Sequence, residues 1–336
     1  MTSKCEVEPK GDAIEVEYYG PIPLKEIQDA RKRATGEVVR TPLVRLNVDD
    51  VPAEIFLKLE VLQPIRSFKI RGACNAMKLA DKEQLEKGVW TVSAGNWAQG
   101  VAWYARKLGL KCTIVVPENV PQAKEAAIKR LGARVVKAPH DEWLETFKTR
   151  SYKGMNGLFL HAFSDPAVIA GNGTIGLEIV EDLPDVDAIV IPWGGGGLSC
   201  GIASAIRALK PDVKLYACEI ETATPLATSF AAGRPAVKIA YTSSFVDGIG
   251  APLIFPEMWT LAKQLLDGSL VVGLDETVNA IRLLAERNCV IAEGAGAVSV
   301  AAALAGKAGR GKVVCVVSGG NIDTSKLIKI FQGKVP

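Results

Sequence analysis

Short apolar runs alternate with amphipathic stretches along most of this chain. Six runs read as strands: 89–93 (VWTVS), 112–116 (CTIVV), 134–137 (RVVK), 187–191 (DAIVI), 213–218 (VKLYAC) and 312–317 (KVVCVV). Helical periodicity follows at 98–108, 121–131, 198–209 and 321–332. It also occurs at 67–80, 275–287 and 295–305. Strands that are apolar at consecutive positions have both faces covered, so the pattern predicts parallel sheets clad with helices. There is no internal repeat and no low-complexity segment. In such sheets ligands bind beyond the carboxyl ends of strands, where loops meet helix N-termini.

Three strand-to-helix junctions and one helix start carry candidate chemistry. At 191–201, IPWGGGGLSCG, four glycines follow an apolar strand and open a helix. Backbone without Cβ atoms can wrap a ligand closely, and the amides of a helix start favour an anion. The dinucleotide pattern fails here: the sixth position is Ser199 counted from Gly194, and Cys200 counted from Gly195. One phosphate is therefore expected, not a pyrophosphate. At 93–96, Ser-Ala-Gly-Asn offers a hydroxyl, an amide and backbone N–H groups, a cradle for a carboxylate. Taken alone it could equally be an ordinary helix cap. The Ser-Gly-Gly-Asn turn at 318–321 is, by itself, an ordinary turn. At 67–72, Ser-Phe-Lys-Ile-Arg-Gly, Ser67 can cap a helix and Lys69 falls in its first turn, where the dipole disfavours a cation. A lowered amine pKa is what covalent lysine chemistry needs; a solvated surface lysine is the other reading of the segment alone.

Composition narrows the classes. The chain has 336 residues, 48% of them hydrophobic, enough for two buried cores. Forty basic residues nearly cancel 37 acidic ones, for a net charge of +3. With no long basic block, neither nucleic acid nor a membrane surface is an expected partner; a small molecule is. No apolar stretch reaches membrane-spanning length, and Met1 to Lys10 is too polar for a secretion signal. Seven cysteines stand singly, at 5, 74, 112, 200, 218, 289 and 315. They read as reduced, mostly buried thiols of a cytoplasmic protein.

The motifs do not stand alone. SFKIRGA, SAGNxAQGVA, GGGGL, EGAGA and SGGN occur in that order, with TPL at 41–43 and DPAVIAGNGT at 165–174. Together they resemble the serine/threonine dehydratases of the fold-type II pyridoxal-phosphate enzymes, from about Leu24 to Ile330. The resemblance implies an α/β fold like that of tryptophan synthase β, with two open, twisted, mostly parallel sheets covered by helices. It implies a large cofactor-binding part (1–70 and 165–336), a small mobile part (71–164) that closes over substrate, and a homodimer.

It also implies roles. Lys69 would carry pyridoxal 5'-phosphate as a Schiff base and, once freed, take the Cα proton. Phe68 would cover one ring face, Asn96 would reach the phenolic oxygen, and Gly194, Gly195, Gly196, Gly197 and Leu198 would hold the phosphate. Gly248 and Glu293 would lie beside the ring. Ser318 would face the pyridine nitrogen, where a hydroxyl tolerates a neutral ring and suits elimination over transamination. Ser93, Ala94, Gly95, Asn96 and Trp97 would bind the amino-acid substrate. The expected reaction takes threonine or serine to a 2-oxo acid and ammonia.

The chain departs from the family in informative places. Racemases of the fold carry a second serine after the first of the carboxylate loop; Ala94 stands there, so racemisation is expected to be minor. A structural cation near the phosphate would use Glu219 and the carbonyl of Ala223, but Pro225 replaces a frequent polar ligand. Only 15 residues, 322–336, follow Asn321, so no regulatory domain and no isoleucine feedback are expected. Trp97 replaces the usual histidine. It either packs between the two parts or walls a pocket for an aryl substrate such as 3-phenylserine.

Overall fold

A computed structural model describes residues 20–236 and 238–336. The polar Met1–Lys10 segment, Cys5 and the first 19 residues of the expected large part lie outside the described residues. The chain opens with α1 (Leu24–Ala34), β1 (Leu43–Arg45), β2 (Glu54–Leu59) and α2 (Lys69–Leu79). Short units follow: α3 (Lys82–Glu86), β3 (Val89–Val92), α4 (Asn96–Lys107), β4 (Cys112–Pro117), α5 (Gln122–Arg130), β5 (Arg134–Ala138), α6 (His140–Thr149) and β6 (Leu158–Phe159). Next come α7 (Pro166–Asp182), β7 (Ala188–Pro192), α8 (Gly197–Leu209), β8 (Lys214–Ile220), α9 (Pro225–Ala232) and α10 (Pro256–Leu265). The last elements are β9 (Gly268–Val272), α11 (Leu274–Asn288), α12 (Gly294–Leu304), β10 (Lys312–Val317) and α13 (Thr324–Phe331).

The strands form two sheets. The larger runs β1-β2-β10-β7-β8-β9, parallel except for the antiparallel β1–β2 pair. The smaller runs β5-β4-β3-β6 and is all parallel. The continuous apolar runs have the expected cause. Ile189, Ile191, Val314 and Val316 point into one core beneath α7, α8 and α10. Their neighbours Val190, Val313, Cys315 and Val317 point into a second core with α11 and α12. In the small sheet Val89 and Ile114 face α2 and α4, while Trp90, Val92 and Val115 face the opposite side.

All six expected strands are present; β1, β2, β6 and β9 add to them. In β2 the apolar pattern is broken by Lys58, which is fully buried, donates to the Thr41 carbonyl at 2.6 Å and pairs with Glu178 at 2.7 Å. Helix α7 is glycine-rich and lacks a clean helical period, yet runs 17 residues. Its start is marked by Asp165, which accepts from the Ala167 amide at 3.1 Å, and by Pro166 at the first helical position. Its glycines permit close packing: a Cβ on Gly173 would lie 2.8 Å from the Gly201 carbonyl of α8, and one on Gly171 2.5 Å from the Arg71 carbonyl of α2. These contacts hold the starts of α2 and α8 near each other.

Candidate active site

Lys69 is the first residue of α2, and its position is built from below. The amide of Phe68 donates to the Ser318 carbonyl at 3.0 Å, and Ser67 bridges to Gly319, so the segment is pinned across the end of β10. Ser67 does not cap the helix, contrary to the expectation: the cap position falls on Phe68, and the buried Ser67 hydroxyl has no hydrogen-bond partner. The anchor of this turn is Arg71, buried and bonded to both oxygens of Glu60 (2.8 Å each) and of Glu178 (2.6 and 2.9 Å). The motif contains this arginine, but its carboxylate partners come from the turn after β2 and from α7, which no local pattern marks.

The Lys69 amine donates to the Ala162 carbonyl at 3.1 Å and lies 4.9 Å from the centre of the Phe68 ring and 5.6 Å from that of Trp97. Burial lowers its ammonium from 10.5 to about 8, with the Glu293 carboxylate pulling weakly upward. Desolvation of the amine is therefore what favours the neutral form. Glu293, just before α12, is pushed up to about 7 by burial and by the charge of Asp247, against the hydrogen bond from Asn96. Asn96 donates to Glu293 at 2.7 Å and accepts from Asn321 at 2.8 Å, and Asn321 also donates to the Ile65 carbonyl at 2.9 Å. The last residue of SGGN thus joins the site, a role the motif alone did not disclose.

The glycine loop is tight. Gly196 has a φ of 93°, which disfavours any side chain. Cβ atoms on Gly195, Gly196 and Gly197 would come within 2.2 to 2.6 Å of Phe163, Trp193 and the Phe163 carbonyl. The loop opens α8, whose first amides have no helical partner and face an anion well. EGAGA and SGGN meet backbone to backbone: a Cβ on Gly296 would lie 2.3 Å from the Gly319 carbonyl. These features fit a small phosphorylated cofactor with a nearby reactive amine.

One cavity of about 510 Å³ is lined by Lys69, Phe68, Ser93 to Trp97, Gly194 to Leu198, Gly248, Glu293 and Ser318. Ser318 follows β10 at the cavity wall, with its hydroxyl 3.4 Å from the Ala295 carbonyl. Trp97 is only 2% exposed; its indole N–H donates to the Thr91 hydroxyl at 2.7 Å, within the core of the small sheet. Residues not singled out from the sequence also line the cavity, notably Trp143, Phe147 and Phe163. The first two lie on α6, whose largely polar sequence, HDEWLETFKT, gives little helical signal; their i, i+4 spacing is the available clue.

Glu219 and Ala223 do not line this cavity, and the Glu219 carboxylate is hydrogen-bonded to protein groups. The Glu219 carboxylate accepts from the Leu226 and Ala227 amides at 2.7 Å each and from the Ser269 hydroxyl at 2.6 Å. It caps the start of α9, where Pro225 occupies the first turn. Ala223 is buried and tied by its amide to the Ile220 carbonyl. Among the described residues no group of three or more His, Cys, Asp or Glu could hold a metal ion. Also among them, no helix is long and apolar enough to cross a membrane.

Comparison with known proteins agrees with this geometry. Residues 34–319 match the family model described as pyridoxal-phosphate dependent enzyme. The L-threonine ammonia-lyase of Thermotoga maritima is 40% identical over 316 residues, covering 93% of this chain and 78% of that protein. Among solved structures, maize serine racemase superposes with a TM-score of 0.85 at 33% identity, covering 93% of this chain and 97% of that one. The processed threonine deaminase isoform 2 of Solanum lycopersicum gives 0.83 at 33% identity, covering 96% and 89%. With Lys69, the glycine loop Gly194 to Gly197 and the Ser93–Asn96 loop lining one cavity, and with relatives along nearly its whole length, the chain belongs to the serine/threonine dehydratase family of fold-type II pyridoxal-phosphate enzymes.

Proposed function

We propose that this protein is a pyridoxal-phosphate-dependent dehydratase that converts threonine or serine to a 2-oxo acid and ammonia. The observation that carries the reading is the Lys69 amine, lowered to about 8 by burial, in one cavity with the Ser93–Asn96 loop and the start of α8. Pyridoxal phosphate, when bound, supplies a sink for the negative charge left on Cα when its proton departs. Lys69 would hold it covalently, Gly194 to Leu198 would take its phosphate, Phe68 one ring face, Asn96 its phenolic oxygen and Ser318 its pyridine nitrogen. Gly248 and Glu293 would border the ring.

The chain's own groups then have definite tasks. The Ser93 hydroxyl and the amides that begin α4 bind the substrate carboxylate, which orients the Cα–H bond. The neutral Lys69 amine accepts that proton. Cα loses H and Cβ loses hydroxide, which leaves as water; the enamine tautomerises to an imine, and water hydrolyses it to the 2-oxo acid and ammonia. Racemisation needs a second proton donor on the face opposite the lysine, and the methyl of Ala94 cannot be one.

Other parts of the reading follow the family. We infer a homodimer, a large part (1–70 and 165–336) holding the cofactor, and closure by residues 71–164. The unpaired, mostly buried cysteines suit the reducing cytoplasm. Glu219 is assigned to the start of α9, whose amides it accepts from. The test is 2-oxo acid release from threonine and serine by the purified protein, wild type against Lys69→Ala. The variant is expected to keep its Tm and lose at least about 100-fold in turnover; normal turnover by Lys69→Ala would end the reading.

A further inference from the structure

We propose that Trp143, Phe147 and Phe163 form a side-chain subsite for an aryl group, making an aryl 3-hydroxy amino acid such as 3-phenylserine a substrate of this cavity. This rests on the dehydratase reading and specifies its substrate class. The sequence pointed to Trp97 as an aryl wall; Trp97 does line the cavity, with its indole N–H held by Thr91 in the small-sheet core. Three further rings along the cavity come from α6 and from the loop after β6.

Their arrangement starts at the reactive amine. Lys69 donates to the carbonyl of Ala162, the neighbour of Phe163. The Phe163 and Phe147 rings lie near parallel, 21° apart with centroids 6.1 Å apart. Phe147 meets Trp143 edge to face at 5.1 Å and 88°. These are the offset and edge-on geometries that aromatic rings favour, and a further ring can extend the series. Trp143 and Phe147 are four residues apart and therefore share one face of α6.

The wall is held in place. His161, 1% exposed, sits between α6 and the Phe163 loop. The Ser164 amide donates to its Nδ1 at 3.0 Å, which leaves Nε2–H to donate to the Phe147 carbonyl at 3.1 Å. Burial and the nearby Arg150 charge push its pKa down to about 3, so the strut stays neutral.

Several of the remaining walls have other uses. The glycine loop offers amides to a phosphate, and Ser93–Asn96 offers donors to a carboxylate. Lys124, Asp247 and Lys326 are charged groups that also line the cavity. Other apolar residues, among them Phe245, Ile249 and Ala251, also line the cavity, but the aromatic wall is the part whose rings already pack on one another next to the Ala162 carbonyl that Lys69 meets. Threonine would place one methyl against three rings; a phenyl group would cover them. The chemistry balances as it does for threonine: 3-phenylserine loses water across Cα–Cβ, regains water at the imine carbon, and yields phenylpyruvate and ammonia without change in oxidation level.

The experiment compares the holoenzyme with Trp143→Leu and Phe147→Leu, which keep apolar volume for folding. It measures kcat/KM for phenylserine and threonine, and Kd for their unreactive analogues phenylalanine and 2-aminobutyrate. Phenylserine turnover by wild type is expected, with the phenylserine-to-threonine ratio falling roughly tenfold in either variant. The Kd for phenylalanine should rise by a similar factor relative to that for 2-aminobutyrate. Threonine turnover without phenylserine turnover, or ratios that do not move in either variant, would overturn the subsite. If neither amino acid yields a 2-oxo acid, the dehydratase reading fails, and the phenylalanine Kd still decides whether the rings bind an aryl group.

Discussion

At the scale of the residue, burial does most of the tuning. Lys69 and Glu293 share one cavity, and desolvation drives both toward neutrality, the amine to about 8 and the carboxyl to about 7. For Glu293 the consequence for stability has a definite sign. Its folded-state value exceeds the usual 4.5, so the folded protein holds a proton that the unfolded chain releases earlier. That contribution is complete below about pH 4.5 and is lost as pH rises through about 7. Thermal melts of the cofactor-free protein across this window should show wild-type Tm falling more steeply with pH than that of Glu293→Gln. Parallel curves would mean that Glu293 ionises normally. The raised value is invisible in EGAGA, because desolvation and the distance to Asp247 are properties of packing.

At the scale of the element, α2 shows how a motif is supported by residues outside it. The Arg71 guanidinium balances two buried carboxylates, Glu60 and Glu178, while Lys58 shares Glu178. Removing one partner from such a buried cluster leaves charge without compensation, which costs about 3–5 kcal/mol. Arg71→Met is expected to lower unfolding stability by about that amount in denaturant titration. Arg71→Lys should recover only part of it, since an ammonium cannot make the two-pronged contacts. A loss under about 1 kcal/mol would show that the cluster relaxes or takes up protons. Element identity was legible wherever the apolar period was unbroken, as in β7 and β10. It was obscured where function or packing broke the period: Lys58 in β2, glycines in α7, and charged residues around Trp143 in α6.

At the scale of the molecule, the two sheets lie on either side of the cavity. Lys124 of α5, beside the small sheet, meets Asp247 of the large-sheet side at 2.8 Å. Both side chains are exposed by a third or more, 35% and 49%. Screened pairs of this kind contribute about 0–1 kcal/mol. Lys124→Ala should therefore shift the denaturant midpoint by no more than that allows, and a larger drop would mean that the pair carries the docking of the two layers. Docking instead has a larger apolar and backbone basis in the close α2–α7 contact, where glycine removes the side chain between helices.

The sequence by itself determined the alternation of buried strands and helices, the phosphate-type loop and the lysine at a helix start. These depend on local properties: consecutive apolar positions, missing Cβ atoms and the free amides of helix N-termini. It also placed the motifs in an order that identifies the family. Tertiary structure alone decided which distant groups meet. Asn96 reaches Glu293 and Asn321 across about 200 residues of chain. Arg71 finds Glu178, Glu219 turns to the amides of α9, and the Trp97 N–H goes to Thr91. The physical reason is that a periodic pattern records whether a position is buried or needs a hydrogen bond. The partner is chosen by strand order and by the approach of helices over the sheet, which no single segment encodes.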